Sequence, residues 1–237
     1  MRLSVIVAFR DTDGTRTRLW SFIRQRIEAQ LPEAEIVVGT DDGIDPFHKT
    51  LALNRAAAAA TGDVFLLTDT DTWVPTAGIT EALAGTWEQW WRPWRVKVKL
   101  GEADTAAVLN SGTAWDGLVT PEQVRRRENR NAYWSAPPLM FTREMWERVR
   151  GMDERFRGWG QEDDAFAASL VAFYGKSRIT DGTCVHLWHH RIGRSGRDLW
   201  LGQATNRANM ALGLRYRSAM SDPAGMQALI AERQEAA

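Results

Sequence analysis

The chain has 237 residues, 44% apolar and 25% charged, with 30 basic and 30 acidic side chains that leave no formal net charge. That balance fits a globular protein of one large or two small domains and argues against nucleic acid or an anionic membrane as the main partner. A single cysteine, Cys184, excludes an intrachain disulfide framework.

No stretch approaches the ~20 apolar residues of a membrane span. The apolar opening, residues 1–9, is too short for a signal peptide before Arg10 and Asp11 interrupt it. A cytoplasmic protein is expected, with no membrane span.

Residues 3–9 read as a continuous apolar strand. A turn over residues 11–14 follows, and Thr15 or Thr17 can cap a helix running to about Gln30, which Pro32 closes. Glu35-Ile36-Val37-Val38-Gly39 gives a second buried strand that runs out towards Asp41. The alanine-rich residues 46–60 predict a helix with a glycine stop at Thr61-Gly62. Asp63-Val64-Phe65-Leu66-Leu67 is a third buried strand, and it delivers Asp69-Thr70-Asp71 at its end. Strands and helices in this alternation build a parallel βαβ sheet, whose ligands bind outside the carboxyl ends of the strands. Two acids two residues apart on an extended segment point the same way. Such a pair would hold a divalent cation against a phosphate, on the same rim as Asp41.

Trp87, Trp90, Trp91 and Trp94 have the spacing of one helix face, disturbed by Pro93, and would either fill a core or stack on a sugar. Residues 96–100 alternate as a half-exposed strand; residues 105–109 and 111–115 suggest further strands, and residues 121–130 a charged helix. Another strand is expected over residues 137–141, then a helix from Thr142 to Arg150 stopped by Gly151.

Gly158-Trp159-Gly160-Gln161 precedes Glu162-Asp163-Asp164, which opens a helical pattern ending at Gly175. Acids in a first helical turn are favoured by the helix dipole. Their mutual repulsion can also raise one pKa, as a general base requires. Either a cap or a base is consistent with this segment. After a strand pattern at Ser177-Arg178-Ile179, three of the four histidines fall at His186, His189 and His190. Imidazole can join carboxylate around Mn²⁺ and related ions; a surface cluster is the plainer alternative. The tail has amphipathic stretches over residues 208–220 and 226–231.

Taken together these residues resemble the GT-A glycosyltransferases, nearest the β-1,4-galactosyltransferase, polypeptide N-acetylgalactosaminyltransferase and chondroitin-polymerase types. The resemblance runs in order over residues 1–192. It implies an α/β fold, a Rossmann-like, mostly parallel sheet flanked by helices, with a helical C-terminal tail. Residues 1–75 would form the nucleotide-binding half, 76–192 the acceptor and catalytic half, and 193–237 a lid loop with C-terminal helices. Phe9-Arg10 resembles the end of the family's Pro-Phe-Arg element, and Asp41 the acid at uracil or ribose. Phe47-His48-Lys49 with Leu53-Asn54 resembles the Phe-Asn-Arg helix, placing Lys49 near the nucleotide. Leu67-Thr68-Asp69-Thr70-Asp71 resembles the metal motif, with Asp71 as ligand of Mn²⁺ (or Mg²⁺) and Asp69 near the ribose. Gly151-Met152-Asp153-Glu154-Arg155-Phe156, Gly158-Trp159-Gly160 and Glu162-Asp163-Asp164 resemble the GFDE…GWGGEDDD element, the most specific match.

The resemblance implies inverting transfer of a sugar from a UDP-sugar to a hydroxyl of a glycan, protein or small-molecule acceptor. Asp163 would be the general base, Glu162 and Asp164 would hold acceptor hydroxyls, and Trp159 would line the pocket between donor and acceptor. The remaining metal ligands would come from His189, the first choice, and His186, which stands where galactosyltransferases use methionine. Gln161 replaces a glycine of the family element and implies a stiffer or differently shaped loop. Residues 190–197, with glycines for hinging and arginines for phosphate, read either as a plain basic surface loop or, with the resemblance, as a lid over the diphosphate. A nucleotidyltransferase is the rival enzyme, but residues 11–16 are too acidic for a phosphate loop. A catalytically silent nucleotide-sugar-binding module would be expected to lose the base or the metal acid, and both are present.

Overall fold

Apolar continuity decides where the first strands lie. In the computed structural model, which describes residues 1–11, 14–73, 76–111, 125–128, 136–189 and 197–234, β1 (Leu3–Ala8) leads through α1 (Thr15–Gln30) to β2 (Glu35–Gly39). Then α2 (Lys49–Ala59) leads to β3 (Val64–Thr68). Both crossovers are parallel: β1 pairs with β2 from Ser4 opposite Glu35, and with β3 from Leu3 opposite Val64. β3 is buried along its whole length because β1 covers one edge and an antiparallel strand the other. β2, expected to be buried, is only half so, because it is the edge strand.

The chain continues through β4 (Thr72–Trp73), α3 (Thr76–Ala84), β5 (Trp91–Arg92), β6 (Val96–Lys99), α4 (Glu102–Ser111) and β7 (Arg125–Glu128). It then forms β8 (Leu139–Thr142), α5 (Arg143–Arg148), α6 (Glu162–Tyr174), β9 (Arg178–Ile179), β10 (Thr183–His186), α7 (Arg197–Ala219) and α8 (Pro223–Ala231). The main sheet has the order β2-β1-β3-β8-β5-β9. A second, four-stranded sheet, β4-β10-β6-β7, was not anticipated. Of its strands only β6 was expected, from the alternation of residues 96–100; the other three are two to four residues long and show no readable period.

Period-2 alternation sorts the core into two layers. Val5, Val7 and Leu66 face Leu19, Trp20, Ile23 and Ile27 of α1. Ile6, Phe65 and Leu67 face the opposite layer, with Leu53 and Ala56 of α2 and the aromatic group Phe141, Trp146 and Phe166. The alanines of α2 let it approach the sheet closely. A Cβ on Gly39 would lie 1.8 Å from the Ala52 carbonyl oxygen, so only glycine fits there.

Several expectations are corrected. Residues 105–109 lie in α4 rather than a strand, and the described part of residues 121–130, Arg125–Glu128, is a strand paired antiparallel with β6. Residues 112–115 lie outside the described residues. Gly14, left-handed at φ 80°, stands at the start of α1 in place of a threonine cap. α2 ends at an extended Ala60, so Gly62 is not its stop.

The tryptophans form no helix face, since Pro93 breaks the pattern and only Trp91–Arg92 is regular. Trp90, Trp91 and Trp94 are buried, and their indole N–H groups donate to the carbonyls of Gly175, Thr86 and Pro138 at 3.0, 3.1 and 2.8 Å. They hold the core together rather than presenting a face to sugar.

The C-terminal helices are built into the fold. Tyr216, Met226, Leu229 and Ile230 are buried in the layer shared with α6. The Tyr216 hydroxyl donates to Asp153 at 2.8 Å and accepts from Arg233 at 2.9 Å, while Arg233 also donates to the carbonyls of Val149, Arg150 and Gly151. The tail thus clamps the loop before α6. Tyr216→Phe is expected to cost roughly 1.5–3 kcal/mol, the worth of a hydrogen bond to a buried charge. A denaturant midpoint unchanged from wild type would show the clamp to be idle. Among the described residues no helix is long and apolar enough to cross a membrane.

Candidate active site

Because β1, β2 and β3 run parallel, Arg10, Asp41 and Asp69 emerge on one rim. The Asp69-Thr70-Asp71 triplet is not extended, however. The Thr72 amide donates to the Asp69 carbonyl at 3.3 Å, closing a turn, so the expected parallel aim of the two acids is lost. Asp69 reaches Lys49 at 3.1 Å, whereas Asp71 turns towards β10.

Asp71, 3% exposed, is the centre of the first cluster. Its Oδ1 lies 3.6 Å from His186 Nε2 and accepts from the Thr72 hydroxyl at 3.1 Å. Its Oδ2 lies 3.3 Å from His189 Nε2 and is paired with Arg16. β10 brings in His186 at its last residue, and the Leu187 amide, donating to the Asp71 carbonyl at 2.8 Å, locks the two segments in register. Both histidines therefore meet Asp71, rather than one of them.

Burial works against the Asp71 charge, yet the neighbouring His186, Arg16 and His189 hold its carboxyl at about 2. Burial pushes His186 down to about 4 against the pull of Asp71, leaving the imidazole neutral at pH 7. One ligand atom from each of Asp71, His186 and His189 fits within 4.8 Å. Mixed carboxylate and imidazole donors suit Mn²⁺ and its neighbours better than Ca²⁺. The place already carries a cation, since the Arg16 guanidinium sits on Asp71 with Nη2 3.2 Å from His189 Nδ1. The donor set fits a divalent metal.

The second cluster centres on Lys49 at the start of α2. Its Nζ donates to Asp163 Oδ1 and Oδ2 at 3.0 and 3.1 Å and lies 3.8 Å from Glu162. Lys49, expected near the nucleotide, thus rests on the expected base and joins it to Asp69. Burial, with Glu162 and Asp69 beside it, lifts Asp163 to about 7 against the pull of Lys49. Burial likewise disfavours the Lys49 charge, but Asp163, Asp69 and Glu162 raise its pKa well above the usual value.

The three acids of α6 part company, as successive helical residues must. Asp163 faces Lys49. Glu162, buried, folds back so that the Gly160 amide donates to its Oε2 at 2.8 Å. Exposed Asp164 lines a groove of about 270 Å³ between α6 and α7, with Ala168, Gly213 and Arg217. Trp159 is 76% exposed on the loop ahead of them. That loop is held from α7, where Asn209 Nδ2 donates to the carbonyls of Arg157 and Trp159 at 2.8 and 3.4 Å. Gln161 adopts φ 72°, a left-handed conformation that glycine takes without cost. Its side chain offsets the strain by packing on Gly213 and accepting from Arg217 at 3.2 Å.

Arg10 and Asp41 satisfy one another. Arg10 Nε donates to Asp41 Oδ1 at 2.9 Å, and a second bond joins Nη2 to Oδ2. The amides of Gly43 and His48 complete the Asp41 shell at 3.3 and 2.9 Å. Arg10 also lies 5.3 Å from the centre of the Phe47 ring. Phe9 is partly buried against the core, its amide donating to the Gly39 carbonyl at 2.9 Å. Of the expected lid, residues 190–196 lie outside the described residues, and Arg197 begins α7. Sequence reasoning missed Arg16 and Asn209, which act across 55 and 50 positions and belong to no local pattern.

Residues 122–190, which include the acidic start of α6 and both clustered histidines, match the N-terminal domain of galactosyltransferase family. No curated protein matches the chain. Among solved structures, the catalytic domain of Drosophila β1,4-galactosyltransferase 7 in complex with xylobiose aligns with a TM-score of 0.52 and 17% identity, over 85% of this chain and 79% of that one. A mutant of that enzyme in complex with manganese, UDP-Gal and xylobiose aligns at 0.45 and 13% identity, over 76% and 65%. S. aureus TarS 1–349 aligns at 0.47 and 13% identity, over 99% and 71%. The chain has the GT-A glycosyltransferase fold and carries, in residues 122–190, a galactosyltransferase-family segment.

Proposed function

We propose that the protein is a metal-dependent, inverting glycosyltransferase that moves a sugar from a UDP-sugar to an acceptor hydroxyl. One observation carries this reading: a carboxylate with two imidazoles (Asp71, His186, His189) shares the carboxyl-end rim of a parallel sheet with a part-buried Asp163 of raised pKa. The galactosyltransferase-family segment supports it, since it spans three of those four residues.

In this reading Asp71, His186 and His189 hold Mn²⁺ or Mg²⁺, which when bound supplies Lewis-acid neutralisation of the charge growing on the departing diphosphate. Asp163 takes the proton of the acceptor hydroxyl. The acceptor oxygen then bonds to the anomeric carbon from the face opposite the breaking C–O bond, UDP leaves with that bond's electron pair, and the anomeric centre inverts. Lys49 keeps Asp163 in place through its two contacts. Trp159 offers an exposed indole face to a sugar ring. Asp164, opening on the α6–α7 groove, serves an acceptor group extending that way rather than the reacting hydroxyl. Arg10 and Asp41 brace the nucleotide end of the rim, with residues 1–75 as the donor half and 76–192 as the acceptor half. The acceptor class is a glycan, a protein or a small molecule.

Incubation with radiolabelled UDP-sugars and Mn²⁺ is expected to release UDP, by transfer or slow donor hydrolysis, and EDTA is expected to stop it. Turnover unaffected by chelation would refute the metal role. Pyrophosphate release from a nucleoside triphosphate would favour a nucleotidyltransferase, and UDP-sugar binding without turnover a silent module.

A further inference from the structure

We infer that Arg16 is a resident counter-ion of the metal site, so that its guanidinium and a divalent metal compete for Asp71. The inference rests on the metal reading above and adds a residue which no part of that reading uses. Asp71 is almost fully buried, and a buried carboxylate without a partner is costly. Arg16 supplies that partner on Oδ2, while its Nη2 lies 3.2 and 3.4 Å from Nδ1 and Nε2 of His189. The guanidinium therefore stands between two of the three groups that would hold the metal.

Both cannot be there together. A metal reaching both Asp71 and His189 would stand where the guanidinium now lies against Oδ2 and the His189 ring, and a dication within a few ångströms of a guanidinium in a part-buried site is repelled. Arg16 has a way out: it lies in the first turn of α1, and its side chain is 25% exposed against 4% for Asp71. Departure from an N-terminal helical turn is not opposed by the dipole, which disfavours positive charge there. The site thus holds one cationic partner for Asp71 in either state, and metal affinity is set partly by the cost of evicting Arg16.

The test is titration of Mn²⁺ alone, followed by calorimetry and by the electron paramagnetic resonance of free Mn²⁺, into wild type, Arg16→Gln, Arg16→Lys and Asp71→Ala. Arg16→Gln is expected to bind Mn²⁺ about tenfold more tightly than wild type, the order of effect expected on removing one charge-assisted contact. Arg16→Lys, which keeps the charge, should stay closer to wild type. Metal-free Arg16→Gln should melt below wild type and gain more from added Mn²⁺, because Asp71 has lost its partner. Equal or weaker Mn²⁺ binding by Arg16→Gln overturns the competition. Failure of the metal reading looks different: wild type and Asp71→Ala would then bind Mn²⁺ alike, or neither would bind.

Discussion

Asp163→Asn is expected to lower kcat by about 10²–10⁴-fold, the usual contribution of a general base, while leaving UDP and Mn²⁺ binding close to wild type. The amide matches the carboxylate in shape but cannot take the acceptor proton. Lys49 loses one charged partner and keeps Asp69 at 3.1 Å, so the cluster retains its form. The pH dependence gives an independent readout. Burial and the neighbouring acids lift Asp163 to about 7. The unprotonated form is the active one, so kcat/KM should rise with pH through about 7 and fall below it. Lys49 holds that pKa down, so Lys49→Ala should move the rising limb to higher pH, and Asp163→Asn should abolish it. An Asp163→Asn variant with full activity, or with the limb unchanged, would sink the assignment of the base.

The first three strands, the parallel rim and the acidic opening of α6 were legible because each rests on a local pattern. An unbroken apolar run marks a strand, and acids behind a glycine turn mark a helix start. The errors arose where a pattern was short or was overridden from a distance. Residues 105–109 have no apolar alternation, and Glu102 and Asp104 in the first turn of α4 are a readable helix signal. The tryptophans kept helical spacing although Pro93 and a two-residue strand dictate otherwise. The closeness of the histidines to one another is legible in the sequence, but their meeting with Asp71 depends on β10 pairing with β4 across more than a hundred residues. Arg16 was invisible for the same reason. Gln161 shows a departure from a family pattern that only the tail explains: a left-handed residue is held by Arg217 and Gly213, both on α7.

Asp71→Ala is the second large effect expected, and it separates the two acids of the Asp69-Thr70-Asp71 turn. Asp71 is the only carboxylate in the three-residue cluster and faces both imidazoles. Its loss should weaken Mn²⁺ binding by at least about 100-fold, since even groups standing behind metal ligands cost 10–100-fold when removed, and transfer should fall to background. The fold should survive, because Arg16 can turn to solvent and His186 is already neutral. Asp69→Asn should act differently. Asp69 makes its contact with Lys49, on the far side of the turn, so Mn²⁺ affinity should stay near wild type while the Asp163 pKa drops with the loss of a neighbouring negative charge. The rising limb of kcat/KM should then move to lower pH. Parallel losses of metal affinity in both variants would mean that the acids act as one ligand pair when metal is bound, and that the turn reopens to the extended form; divergent losses would leave Asp71 on the metal and Asp69 on the electrostatics of the base.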